Sequence, residues 1–196
     1  MDNTILDRIE TNVTEHIYTP IIWIILWSLV GILVSAYFIV ITTEEGPLYS
    51  ELRGGSDYVK KIYKVSIAWL VTQICTLFVG MYTFSNINHS GREIHIEVKM
   101  LLKHIITNYI LTEGLFFTTM TLSLTVGIYL GKIEDAIRGG ESTLYDVSYY
   151  IVRIYFVLAI IFFVFGVYRL IKMYDTDKLM KIEGEGIELQ QILDSQ

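Results

Sequence analysis

Apolar and polar positions in this chain are segregated into blocks. The first apolar block runs from Ile17 to Thr43 without a charged residue. The second runs from Val65 to Gly91 and is apolar as far as about Phe84, and the third, Ile105 to Leu130, is interrupted only by Glu113. The fourth extends from about Ser148 to Ile171, with Arg153 and Arg169 near its ends. An α-helix needs about 20 predominantly apolar residues to cross the hydrocarbon core of a bilayer. Backbone groups in lipid must pair within their own segment, which a helix achieves. The pattern therefore predicts an all-α integral membrane protein with four transmembrane helices, over about 20–43, 62–84, 105–130 and 148–171. These lie in a membrane domain of residues 19–173, between an N-terminal segment, 1–18, and a polar tail, 174–196.

The flanking segments carry weaker patterns. Ile5, Ile9, Val13 and Ile17 recur every fourth residue with Asp7, Glu10 and Glu15 between them, and Thr4 and Asp7 have capping-box spacing. This predicts an amphipathic helix along the membrane surface, ending where Pro20 opens the first span. In "SGREIHIEVKMLLKH", Ile94, Val98, Leu101, Leu102 and Ile105 form one helical stripe, which predicts a second interfacial helix between spans two and three. The tail is expected to break at Gly184 and Gly186 and to end in a short helix that is solvated or docks elsewhere.

Composition sharpens the class. The chain of 196 residues is 53% hydrophobic and 18% charged, against about 45–50% and about 25% in soluble domains. The net charge of −6 gives no footprint for nucleic acid. The acidic N-terminus lacks the basic start and cleavage site of a secretory signal. The single cysteine, Cys75, lies inside the second span and cannot form an intrachain disulfide. The side holding both termini carries eight Lys and Arg residues and the opposite side seven, so charge gives only a slight lean toward cytoplasmic termini in a cell membrane. Two sequons, at Asn12 and Asn88, lie on the terminal side and would place it outside if glycosylated; sequons this short also arise by chance.

The candidate chemistry is sparse. All four histidines, His16, His89, His95 and His104, lie at or beyond the terminal side of the membrane, which argues against haem, and their spacing with Glu93 and Glu97 matches no metal motif. The fourth span lacks the every-third arginines of a voltage sensor. "TLSLTVGIY" contains Thr-Val-Gly but sits inside a continuous helical run, where its carbonyls cannot form a filter. No nucleophile elbow, paired His and Ser or carboxylate pair is present in a span, so the expectation is a non-enzymatic protein without catalytic residues, metal or cofactor.

Glu113 is the exception. A carboxylate within a span is costly and turns toward protein or water. It lies roughly 12 Å in from the terminal side at 1.5 Å per residue. Ser28 and Thr76 lie at the same counted depth, and Gln73 one turn deeper, so Glu113, Gln73, Thr76 and Ser28 are grouped as an intramembrane polar cluster, structural or binding. Around the helix, Glu113 shares its face with Ile106, Tyr109, Phe117, Met120 and Leu124, while the hydroxyls of Thr118 and Thr125 point more than 100° away. Polar groups are not stacked beneath it as a conducting path requires. The favoured reading is a tie between helices, ahead of an ion or substrate site and of a contact to another subunit.

Two small-residue spacings, Gly31 to Ser35 and Gly127 to Gly131, are expected to serve helix packing. Arg-Gly-Gly precedes both even-numbered spans, followed by Lys61-Ile-Tyr-Lys-Val in one and Arg153-Ile-Tyr-Phe-Val in the other, which hints at duplication. Turn glycines and interfacial tyrosines produce the same pattern without it.

The layout resembles the small membrane subunit of tripartite ATP-independent periplasmic (TRAP) transporters. The resemblance rests on "REIHIEVKMLL" (92–102), on "GGESTLYDVSYYIVRIYFVLAIIFFVFGVYRL" (139–170) and on Trp69. The family's Arg after the first span is missing, the loop 44–61 is long, and Lys99 stands where the family has Asp. The resemblance implies a scaffold that braces a larger moving subunit and binds no substrate itself. The expected partners are the lipid bilayer and other membrane subunits, or further copies of the chain. Two alternatives stay open: a homo-oligomeric channel or carrier with Glu113 in its path, and a structural membrane protein of a virus or organelle.

Overall fold

The computed structural model describes the backbone of residues 3–51, 57–90, 98–134 and 142–194, and the side chains of 16–50, 57–87, 104–134 and 142–173. Its helices are α1 (Asn3–Thr42), the short α2 (Pro47–Glu51), α3 (Asp57–Ser90), α4 (Val98–Ile133) and α5 (Thr143–Asp194). Strands are absent among the described residues. Four segments, within His16–Ser50, Asp57–Ile87, His104–Ile133 and Thr143–Met173, are long and apolar enough to cross a membrane, and they contain the four expected spans.

The spans form an antiparallel bundle in chain order, with α5 closing back onto α1. Between α1 and α3, Tyr18 meets Phe84 near one end and Phe38 meets Trp69 toward the other. Between α4 and α5, Phe117 meets Phe163. Between α5 and α1, Trp23 stacks on Phe162 at 5.5 Å and Tyr37 hydrogen-bonds Ser148 at 2.9 Å. The helix pairs α1–α3, α3–α4, α4–α5 and α5–α1 carry the packing, and α1 and α4 lie diagonally across the bundle.

Along α3 and α4 the buried positions alternate by three and four, with Glu113, buried beside Thr112, added to the rhythm in α4. In α3 they are Val59, Ile62, Ser66, Trp69, Gln73, Thr76, Gly80, Thr83 and Ile87; in α4 they are Ile105, Tyr109, Thr112, Phe116, Thr119, Ser123, Val126, Leu130 and Ile133. This is the seam spacing of left-handed helical bundles. Its chemistry is the reverse of a soluble bundle. Small and hydroxylated residues fill much of the seam, while Leu33, Val40, Phe78, Val157 and Ile161 stand exposed on the outside. Small residues bring helices close where there is no apolar surface to hide from water.

Three boundaries differ from expectation. α1 runs through Pro20 without a break, so residues 3–18 are not a separate helix. A proline removes one backbone hydrogen bond, a loss that membrane helices tolerate because neighbouring groups satisfy the freed carbonyl. Residues 98–104 belong to the start of α4 and do not form a helix of their own; 91–97 lie outside the described residues. α5 continues through Gly184 and Gly186 to Asp194, because a helical glycine costs only about 1 kcal/mol relative to alanine and does not by itself end a helix. Both Arg-Gly-Gly sequences also lie outside the described residues. The Ile-Tyr pairs that follow them face differently: Ile62 is buried in α3, whereas in α5 Tyr155 is buried and Ile154 exposed.

Candidate functional site

Among the polar contacts that cross between the described helices, two are seated on glycines. The first is built on Glu113. The seam position Thr112 points to α3, where its methyl group lies 3.8 Å from the place a Cβ on Gly80 would occupy. One residue and about 100° further round the helix, Glu113 points to α5. Its side chain is 5% exposed. Tyr109, one turn back on α4, donates its hydroxyl to Oε1 of Glu113 at 2.8 Å and also faces the carbonyl oxygen of Gly166 at 3.1 Å. A Cβ built on Gly166 would fall on Oε1 of Glu113, with the carboxyl carbon only 2.7 Å away. Gly166 is therefore the vacancy on α5 that lets the carboxyl lie against that helix. Oε2 of Glu113 makes no hydrogen bond among the described residues.

The same end of the bundle is closed by Arg169 and His16, which meet at 3.1 Å. A guanidinium can only donate, so Nδ1 of His16 accepts, which fixes its ring proton on Nε2. Arg169 also lies over the ring of Phe165, 5.6 Å from its centroid. Arg169 thus ties α5 to α1 and does not pair with Glu113.

The second contact lies near mid-bundle. Nε2 of Gln73 on α3 donates to the Tyr155 hydroxyl on α5 at 2.5 Å. Both groups press on Gly31 of α1, where a Cβ would collide with the Gln73 amide and lie 2.7 Å from the Tyr155 oxygen. Trp27 stacks on the Tyr155 ring at 5.1 Å and Trp69 meets it edge-on at 5.0 Å. This cluster of rings and amide lies where α1, α3 and α5 meet.

The four residues grouped by depth therefore separate. Glu113 pairs with Tyr109, and Gln73 with Tyr155. Ser28 donates to the carbonyl of Ile24, and Thr76 to that of Thr72, each on its own helix. Among the packing residues, Gly31 holds the Gln73–Tyr155 contact, and Ser35 is fully buried and bonds to the Ile32 carbonyl. Gly127 makes only ordinary contact with Val152, at 3.6 Å, and Gly131 faces open space. The glycine that matters for α4 against α5 is Gly166 on the partner helix. Tyr109 was visible in the sequence, four residues from Glu113 on the same face. Gly166 and Tyr155 gave no sequence signal, because only the register of α5 selects them.

Thr42, Thr83, Thr112, Thr119 and Ser123 likewise donate to a carbonyl three or four residues earlier, whereas the buried Ser66 hydroxyl has no hydrogen-bond partner among the described residues. No group of three or more potential metal ligands occurs among the described residues. Comparisons with protein-family models, with curated proteins and with solved structures give no match to this chain.

Proposed function

We propose that this chain is a four-span integral membrane protein without chemistry of its own, an accessory or scaffold subunit of a larger membrane complex or transporter, set in the cell membrane with cytoplasmic termini. One observation carries the reading. Trp69, Tyr155 and Gln73 pack together at mid-bundle, and among the described residues most buried serine and threonine hydroxyls donate to carbonyls of their own helices, which favours a packed interior over a polar path for an ion or proton. The seam-polar, outside-apolar arrangement supports a hydrocarbon surrounding. The resemblance to the TRAP small subunit points the same way, to a brace for a larger partner.

A homo-oligomeric channel with Glu113 in its path finds less support. A pore between copies would need that carboxyl on the outer surface, and Glu113 is buried against α5 of its own chain. Purification in mild detergent separates the two readings: a large co-purifying subunit supports the scaffold, and a symmetric homo-oligomer overturns it. In liposomes the purified chain should conduct nothing above background. Ion or solute flux that Glu113→Gln abolishes would establish the channel instead.

A further inference from the structure

On the outside of the bundle, between α4 and α5, lies an open groove of about 460 Å³. Gly127 and Gly131 on one side and Val152 and Phe156 on the other form its walls. It exists because α4 lacks side chains there: a Cβ on Gly131 would meet nothing within 4 Å. Its two ends differ. Toward Ser123 and Leu124 the lining is mainly hydrocarbon, and the opposite end carries Tyr149 and Arg153.

The Arg153 guanidinium lies 3.9 Å over the Tyr149 ring and donates to the Tyr149 hydroxyl. Tyr149 is one turn nearer the start of α5, so the pair carries the charge out of the apolar stretch, toward the helix end where a headgroup region would lie. Both described partners of this cation are parts of one neutral tyrosine, so its charge is not compensated by them. A cation at the mouth of a narrow apolar channel complements an anion with a hydrocarbon tail. The groove falls within the roughly 300–1,000 Å³ of small-molecule sites.

We propose that this groove binds one anionic membrane phospholipid, its phosphate held by Arg153 and Tyr149 and one acyl chain lying along Gly131 and Gly127 against Phe156. The proposal rests on the membrane-spanning reading above. The test is native mass spectrometry of the full chain in mild detergent, titrated with phosphatidylglycerol and with phosphatidylcholine of the same acyl composition. The wild type should retain one phosphatidylglycerol more tightly than phosphatidylcholine. Arg153→Gln should erase that preference, lowering phosphatidylglycerol affinity about fivefold, the effect of one interfacial cation. Gly131→Leu, which places its side chain in the open groove, should lose both lipids. Equal retention of the two lipids by the wild type, an unchanged preference in Arg153→Gln, or full retention in Gly131→Leu would each overturn the proposal. So would a dimer that Gly131→Leu disrupts without any lipid being lost. Alkaline carbonate extraction of native membranes keeps the two failures apart. Release of the wild type would sink the membrane-spanning reading itself, whereas a resistant protein without lipid preference refutes only the groove.

Discussion

The carboxyl of Glu113 rests on the backbone of Gly166, in the space where any other residue would place its Cβ. This contact joins α4 to α5 and leaves the carboxyl almost wholly buried. Gly166→Ala should therefore be destabilising despite the better helix propensity of alanine, by about 1–3 kcal/mol, the usual cost of overpacking. Gly114, one residue from Glu113, has nothing within 4 Å of its Cβ position. Gly114→Ala should be neutral or stabilising by up to about 1 kcal/mol. Unfolding of both variants in mixed micelles by added dodecyl sulfate checks the contrast, and equal midpoints would show that the carboxyl does not lie on Gly166.

The two positions should be coupled. Glu113→Ala removes the group with which an alanine at 166 collides, so the double variant should be more stable than the sum of the singles, by about 0.5–3 kcal/mol. Glu113→Gln should cost less than Glu113→Ala. Its amide oxygen can still accept from Tyr109, and its nitrogen takes the place of Oε2, which has no hydrogen-bond partner among the described residues. Additive midpoints across the cycle would argue that the two residues act independently.

At mid-bundle, Tyr155→Phe removes the only described partner of the Gln73 amide while keeping the ring between Trp27 and Trp69. A cost of about 0.6–2 kcal/mol is expected, the range for hydrogen bonds between membrane helices. Gly31→Ala should cost more, because it displaces both partners at once. A Tyr155→Phe midpoint indistinguishable from wild type would mean that the stacking, and not the hydroxyl, holds this level.

The outer surface distinguishes a membrane bundle from a soluble one. Leu33 is 72% exposed and Phe78 is 68% exposed. Lysine at either position should be harmless in water. Near the middle of a membrane-inserted helix it should oppose insertion by about 2.5–3.5 kcal/mol. An insertion assay with a glycosylation reporter reads this directly, and unchanged insertion of both lysine variants would contradict the proposed setting.

The four long apolar helices were legible in the sequence because apolar character over a fixed length is a property of one segment at a time. The surroundings of Glu113 were partly legible for the same reason, since its neighbours on one helix, Tyr109 among them, follow from helical spacing. Depth along the bundle does not specify which side chains meet. It grouped Glu113 with Ser28, Thr76 and Gln73, yet α1 lies diagonally across from α4, and the hydroxyls of Ser28 and Thr76 return to their own helices. The three-and-four rhythm of Ser66, Gln73, Thr76, Gly80 and Thr83 was present in the chain. Read for hydropathy alone, those residues look like interruptions of a span, although they mark its buried face.

The sequence by itself determined that there are four apolar helices, roughly where they start and stop, and that one carboxyl must be hidden among them. Only the tertiary structure decided which helix hides it and how. Hydropathy specifies how far a segment can travel through lipid but not which face meets which neighbour. That choice depends on close approach at single glycines, Gly166 beneath Glu113 and Gly31 beneath Gln73 and Tyr155, and a glycine acquires this meaning only from the side chain that a partner helix places on it.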